Sequence, residues 1–425
     1  MLVPVDAGYS TGVEPIRMEA GINQTTKCED KHMNTDKYVG LDVHKVATQV
    51  VIADEGRTGE VRHYGKISSD LHAMERLVAK LGGPGGVTLH FAYEAGPTGF
   101  VLYRWFQRHG IDCIVVAPTK IPQAKGVRQK TNRRDAEQLA RSLRAGELTA
   151  IHVPDEIDEA FRDLTRARSH ASRDVKRAKQ RLKSFLLRQG YHYSGNANWT
   201  EAHRRYLREL VMPSPVLKAV LEEYLLAITA AEERLQRMEN LVTTEAPKWR
   251  LYPAVQALMC LRGFDLIAAS LLVAEINDVR RFAHPRGLMA YLGLVPHEFS
   301  TGDDRRLGAI TKAGNAQARW LLVEAVQHAS LPPKVSEHLA RRQEGQPEVY
   351  RKISWSMQNR LYQRHWHLTH RRLMPAKVKV ALARELCGFV WDLLRQVPLP
   401  KIKTPVSRSA TRRPTRTSKA DVVSC

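Results

Sequence analysis

Residues 111–116 read IDCIVV, a near-continuous apolar run. A run of this kind suits a strand buried on both faces, which belongs in a parallel arrangement covered by helices above and below. The chain around it supplies the remaining pieces. Segments 38–43 (YVGLDV), 47–54 (ATQVVIAD) and 60–67 (EVRHYGKI) are rich in Val, Ile and Tyr and predict three strands. The Gly-containing turn DEGRTGE joins the second to the third. Leu71, Met74, Leu77 and Leu81 fall at helical spacing within 69–81. Residues 87–93 (VTLHFAY) predict a fourth strand, 98–109 a helix, and 133–146 a helix after the apolar run.

Three strands followed by helix, strand, helix, strand and helix predict an α/β layered domain with a mixed sheet. That order is the order of an RNase H-like fold. In open α/β sheets the ligand crevice lies at strand carboxyl ends, and three acids map there. Asp42 ends the first strand in GLDVHK, Glu94 ends the fourth in AYEAGPTG, and Asp135 opens the helix after the fifth. A charge in an apolar strand is costly unless it is solvated, paired or coordinating. Clustered carboxylates repel one another unless a divalent cation sits between them. Oxygen ligands suit Mg²⁺ or Mn²⁺, and two such ions about 4 Å apart serve phosphodiester cleavage. Each acid taken alone also reads as a helix cap or a surface charge.

Asp135 lies in GVRQKTNRRDAEQLARSL, residues 126–143, where Lys130, Arg133 and Arg134 crowd it. Two readings stand: a surface helix of mixed charge, or an Asp that holds a cation while its neighbours hold phosphates. The net charge of +22 over 425 residues points to a polyanionic partner, most often nucleic acid. No run of about 20 apolar residues is present to span a bilayer. The five Cys, at 28, 113, 260, 387 and 425, form no CxxC pair, so neither a structural zinc site nor a disulfide framework is expected. Residues 1–36 carry no apolar stretch of the secretory kind and read as a disordered tail. Met33, just ahead of the first strand, is an alternative start to Met1. The Pro/Ser/Thr/Arg-rich stretch 397–425 reads as a second, basic disordered tail.

Between 156 and 249 the pattern is helical and long. Leu217, Leu221, Tyr224, Ile228, Ala231, Leu235, Met238 and Val242 alternate spacings of 4 and 3, which predicts a coiled-coil seam. Upstream, Phe161, Leu164, Ala171, Val175, Ala178, Leu182 and Phe185 keep the same spacing, with Arg168 as a polar intruder. Residues 162–188 hold ten Lys/Arg against two Asp. That ridge, with Arg173, Lys176 and Arg177 at its centre, reads as a nucleic-acid contact or a solvated face.

Residues 250–396 predict a compact, mostly helical domain. LMCLRGFDLIAASLLVAEI (258–276) resembles a helix–hairpin–helix that lacks the usual second Gly. In YLGLVPHEFSTGDDRRLGAITKAGN (291–315), Ser300 and Thr301 precede Gly302, with Arg305, Arg306 and Lys312 behind. A hydroxyl flanked by cations can attack phosphorus, because the cations stabilise the developing charge. The same residues also read as an ordinary turn with solvated arginines. His365, His367 and His370 form an HxHxxH cluster that reads as phosphate or core contact ahead of metal ligation.

GLDVHK, YEAGPTG, KTNRRDA, YLGLVPHEFSTG and ITKAGN, in this order and spacing, resemble the IS110 family of DEDD transposases, which includes Piv-type invertases and bridge-RNA-guided recombinases. The resemblance runs from about residue 37 to 396. It implies a RuvC-like domain at 37–155, a coiled-coil linker for dimerisation at 156–249, and a transposase domain with a serine motif at 250–396. It further implies Mg²⁺ held by Asp42, Glu94 and Asp135, with Ser300 as nucleophile and Thr301 as the alternative. The third tetrad position falls on Asn132, which offers an oxygen but no charge; Glu137 is a conceivable substitute. DNA ends and target, a noncoding bridge RNA and a homodimer or homotetramer are the implied partners, in a prokaryotic, nucleoid-associated cytoplasmic setting. A metal-dependent Holliday-junction-type nuclease and a catalytically inactive nucleic-acid-binding protein are the rival readings.

Overall fold

The computed structural model describes residues 36–82, 87–122, 131–299, 304 and 306–399, which divide into two compact units between His152 and Val153. Lys130, Ser300, Thr301, Arg305 and all but a few residues of the two tails lie outside the described residues.

The first unit runs β1 (Asp36–Val43), β2 (Ala47–Asp54), β3 (Val61–Ser68), α1 (Leu71–Lys80), β4 (Thr88–Glu94), α2 (Val101–Arg108), β5 (Asp112–Val116) and α3 (Asn132–Arg144). Every predicted element is present. The sheet order is β3-β2-β1-β4-β5. β1, β2 and β3 pair antiparallel, whereas β4 and β5 run parallel to β1. The sheet is therefore mixed, and its parallel strands are the apolar ones: Phe91, Ala92, Tyr93, Cys113, Val115 and Val116 are buried. Phe91 stacks on Phe106 of α2 at 4.3 Å between ring centroids. α3 lies across β1 and β2, and Arg144 near its end donates to the carbonyls of Asp54 (3.1 Å) and Gly59 (2.8 Å), tying the helix to the β2–β3 turn.

The second unit is mostly helical. It contains α4 (Glu156–Arg188), α5 (Glu201–Glu209), α6 (Pro215–Glu245), α7 (Tyr252–Met259), α8 (Leu266–Ile276), α9 (Pro285–Tyr291), the short strands β6 (Pro296–Glu298) and β7 (Leu307–Ile310), then α10 (Ala316–Ala325), α11 (Glu337–Gln343), α12 (Glu348–His370) and α13 (Pro375–Arg395). α4 and α6 pack against each other within the chain. The ion pairs Asp174–Arg234 and Lys179–Glu232 set them antiparallel. No residue of the α6 seam is exposed, and Leu221, Ile228 and Val242 are buried. The apolar stripe expected to pair subunits is thus covered by α4 of the same chain.

Nor does 156–249 stand as a domain of its own. Phe161 stacks on Trp249 at 4.1 Å, and both belong to the core formed by α7, α8 and the last helices. Beneath them the buried Asp158 accepts from Trp249 Nε1 (2.8 Å) and Asn277 Nδ2 (2.7 Å) and pairs with Arg250. A buried carboxylate needs such partners, and they weld the start of α4 to the helical body. Val397 is buried in the same core, so this unit reaches past the expected tail boundary. The turn of the expected helix–hairpin–helix is spoken for by packing: a Cβ on Gly263 (φ +99°) would lie 2.6 Å from the Ala325 carbonyl oxygen.

Candidate active site

Leu41 faces Tyr93 in the parallel β1–β4 register. The next residues, Asp42 and Glu94, therefore sit side by side where the two strands end. α3 is brought over this point by Gly40. A Cβ there would lie 2.1 Å from the Ala136 carbonyl oxygen and 2.6 Å from the Ala140 nitrogen, so only glycine admits so close a helix. Thr131 caps α3 by accepting from Arg134 N at 3.4 Å. Asn132 and Asp135, three residues apart, share a helical face.

Asp42, Glu94, Asn132 and Asp135 line one cleft of about 930 Å³, together with His44, Lys45, Ser69, Asp70 and the turn 95–98. His44 Nε2 lies 3.0 Å from Asp42 Oδ2, whose side chain is 14% exposed. The loop after β1 is pinned from below, because Ser69 Oγ donates to the His44 carbonyl at 2.7 Å. Tyr93 donates its hydroxyl to the Gly99 carbonyl (3.2 Å) and so holds the turn that follows Glu94. Asp70 caps α1 by accepting from Ala73 N at 2.7 Å, and its hydrogen bonds to Ser68 and Ala73 pull its carboxyl below the usual range. His44 and Asp70 were missed in the sequence. The SSD before α1 is an N-cap signature, and His44 stands inside GLDVHK.

The donor set is of hard oxygens, three carboxylates and an amide, which suits Mg²⁺ or Mn²⁺. Among the described residues no three His, Cys, Asp or Glu side chains are drawn together closely enough to ligate an ion. The residues fit such a cation in kind, as hard oxygen donors, while their side chains stand apart around the cleft. Glu137 does not join them: it pairs with Arg141 (2.8 Å) and with His63 (3.5 Å). Arg133 and Arg134 are exposed on the first turn of α3.

In the second unit, Arg306 is exposed and lies 3.4 Å from Asp304, and Lys312 adopts φ +54°. The motifs on either side of the serine segment are locked together. A Cβ on Gly314 would lie 2.1 Å from the Tyr291 carbonyl oxygen, and one on Gly293 would lie 2.1 Å from that of Ala313. Asn315 caps α10 and donates Nδ2 to Glu275 at 2.6 Å. Glu275 is buried and takes Arg166 of α4 through two bonds of 2.7 and 2.9 Å. YLGL and ITKAGN, which flank Ser300 in the sequence, are therefore packed against each other. On the α4 ridge, Arg177 pairs with Asp174, Arg173 reaches the Ser169 carbonyl (3.4 Å), and Lys176 lies 5.8 Å over Trp320. His365, His367 and His370 share α12, and they form no metal-ligating group among the described residues. No described helix is long and apolar enough to cross a membrane.

Two family models match this sequence. A DEDD transposase model of the IS110 type covers residues 39–191, and a model described as transposase IS116/IS110/IS902 family covers 255–340. A putative transposase, y4qE, of Sinorhizobium fredii is 42% identical over 365 residues, 85% of this chain and 89% of the relative. The transposase for insertion sequence element IS1533 of Leptospira borgpetersenii is 30% identical over 82% of this chain and 99% of its own length. That for IS1111A of Coxiella burnetii is 22% identical over 70% and 79%.

Proposed function

This chain belongs to the IS110 family of insertion-sequence transposases, enzymes that act on DNA, and on that premise we propose that it cuts and rejoins DNA strands at the cleft of Asp42, Glu94 and Asp135. The observation that carries the reading is the convergence of these three acids on one cleft from β1, β4 and α3. The sheet order supports assigning the first unit to the RuvC-like branch of the RNase H fold. Asp42, Glu94 and Asp135 would hold Mg²⁺ or Mn²⁺, with Asn132 contributing an uncharged oxygen. When bound, such an ion stabilises negative charge on the reacting phosphate. Arg133 and Arg134, exposed beside the cleft, would hold flanking phosphates, as would Lys130, Arg305, Arg306 and Lys312.

Ser300 is the nucleophile of this reading, with Thr301 as the alternative. Its Oγ forms the bond to phosphorus, the bond from phosphorus to the bridging deoxyribose oxygen breaks, and the serine proton passes to the departing oxygen. A hydroxyl of the exchanged strand then attacks the phosphoserine and releases the enzyme. A structured noncoding RNA of the element would select donor and target by base pairing, leaving the protein to read shape and backbone. A homodimer or homotetramer in a prokaryotic cytoplasm completes the proposal.

The test is recombination in cells with the element's flanking noncoding DNA supplied on the donor plasmid. Wild type should recombine, whereas Ser300→Ala and Asp135→Ala should not. Recombination by Asn132→Asp alone would instead identify a chain that has lost its activity and kept its binding. That second reading rests on the missing charge at Asn132.

A further inference from the structure

We propose that the cleft at the end of the α4–α6 hairpin binds an unpaired stretch of nucleic acid, stacking a base on its aromatic wall and placing phosphates on Lys176 and Lys183. The cleft measures about 810 Å³ and lies between the last turns of α4 and the segment that leads into α5. Lys176, Lys179 and Lys183 project into it from one face of α4, at helical spacing. Tyr193, Trp199 and Tyr206 form the opposite wall. No acidic side chain lines it. The aromatic wall from Tyr193 to Tyr206 lies outside both family matches, which end at 191 and resume at 255, while the lysines of α4 lie within the first.

The wall is built at a cost. Trp199 adopts φ +69°, a conformation that a bulky residue rarely takes and that collects at functional sites. It is held there by its backbone N–H, which donates to His203 Nδ1 at 3.1 Å. That bond requires a neutral imidazole, and burial, with Lys183 and Arg204 nearby, keeps the His203 pKa below its ordinary value. Tyr193 meets the His203 ring edge-on at 4.7 Å. Gly195 lies against the Tyr193 ring, where a Cβ would come within 2.4 Å. Lys179 Nζ stands 4.9 Å above the Trp199 indole.

A satellite core alone would explain the aromatic packing but not the lysines. Lys179 already pairs with Glu232 of α6 at 2.6 Å, whereas among the described residues Lys176 and Lys183 have no carboxylate partner, and the hydrophobic cluster beneath gains nothing from them. An anion beside these two supplies that partner, and π-faces beside it accept any base. Bases inside a duplex are stacked already, so the site selects unpaired strands. Lys176 also borders a second groove with Arg173, Gln317 and the half-exposed Trp320, which gives the strand a course along α4.

The test uses the full-length protein without divalent metal. Its outcome is therefore independent of the acid cleft and of strand cleavage. Fluorescent oligothymidylate, oligouridylate and a duplex of equal length are titrated against wild type, Lys183→Gln and Trp199→Phe. Lys183→Gln should weaken single-strand binding roughly tenfold and duplex binding less than about threefold, while Trp199→Phe keeps a stacking face and most of the affinity. Iodouracil photocrosslinks should map to Tyr191–Tyr206. Stronger loss on the uridylate probe identifies RNA as the ligand, and stronger loss on the thymidylate probe identifies DNA. Equal losses on duplex and single strand, no loss, or crosslinks confined to other segments would overturn the proposal. Unfolding of Lys183→Gln, an exposed position, is excluded by its melting curve, and the crosslink map on wild type decides the question without any variant.

Discussion

Gly40 and Ala136 meet where β1 passes under α3, with no room between strand and helix for a methyl group. This contact sets how near Asp135 comes to Asp42. The acid cleft thus depends on a residue with no side chain.

Gly40→Ala should be costly. Backbone atoms oppose the new methyl, so neither partner can swing aside as a side chain would. Overpacking of this kind costs about 3 kcal/mol, roughly 6–12 °C in the melting temperature of a unit this size. Differential scanning calorimetry measures it. Strand transfer should fall as well, because Asp135 is displaced.

Asp42→Asn and Glu94→Gln remove charge with little change of shape. Each should lower Mg²⁺ or Mn²⁺ affinity at least roughly tenfold, read by calorimetric titration, and leave the melting temperature near that of wild type. Asn132→Asp should do the reverse and tighten the ion. Unchanged affinity in all three variants would place the cation elsewhere.

Glu275→Ala should destabilise the second unit. Its carboxylate is 1% exposed and is shared between Arg166 and Asn315. Removing one partner of a buried pair strands the other, at about 3 kcal/mol. Arg166 is 41% exposed, so water recovers part of that loss. Urea unfolding should show a lowered midpoint, and the β6–β7 segment should lose hydrogen-exchange protection.

The pH dependence of stability should carry opposite contributions from two histidines. The hydrogen bond that His90 Nδ1 donates to Asp112 Oδ2 at 2.8 Å raises the His90 pKa above 6.5. Its stabilising contribution is full below 6.5 and is lost as pH rises through the raised value. Burial first, then Lys183 and Arg204, lowers the pKa of His203. Its contribution is present above 6.5 and is lost as pH falls through the lowered value. His90→Asn should therefore cost more stability at pH 5.5 than at pH 8, and His203→Asn the reverse, in thermal melts.

Periodicity and composition carried the first unit a long way. Strand and helix types follow from side-chain period and β-branching, which are local properties. Acids at strand ends were visible because a carboxylate in an apolar run is conspicuous. Asp42, Glu94 and Asp135 could be named from GLDVHK, AYEAGPTG and KTNRRDA alone.

The remainder depended on which surfaces meet. The seam from Leu217 to Val242 looks the same whether another subunit or another helix covers it, and only the fold turns α4 back onto α6. Glu137 and Asp135 are both acids on one basic helix, but a two-residue offset sends Glu137 to Arg141 and His63. YHYSGNANW (191–199) carries no period at all. Its aromatic wall exists because His203, one helical turn beyond Trp199, accepts the Trp199 N–H. Local sequence thus determined the elements and marked the acids. Tertiary packing alone decided what lies beside them, because proximity between distant residues is set by how the elements close on one another.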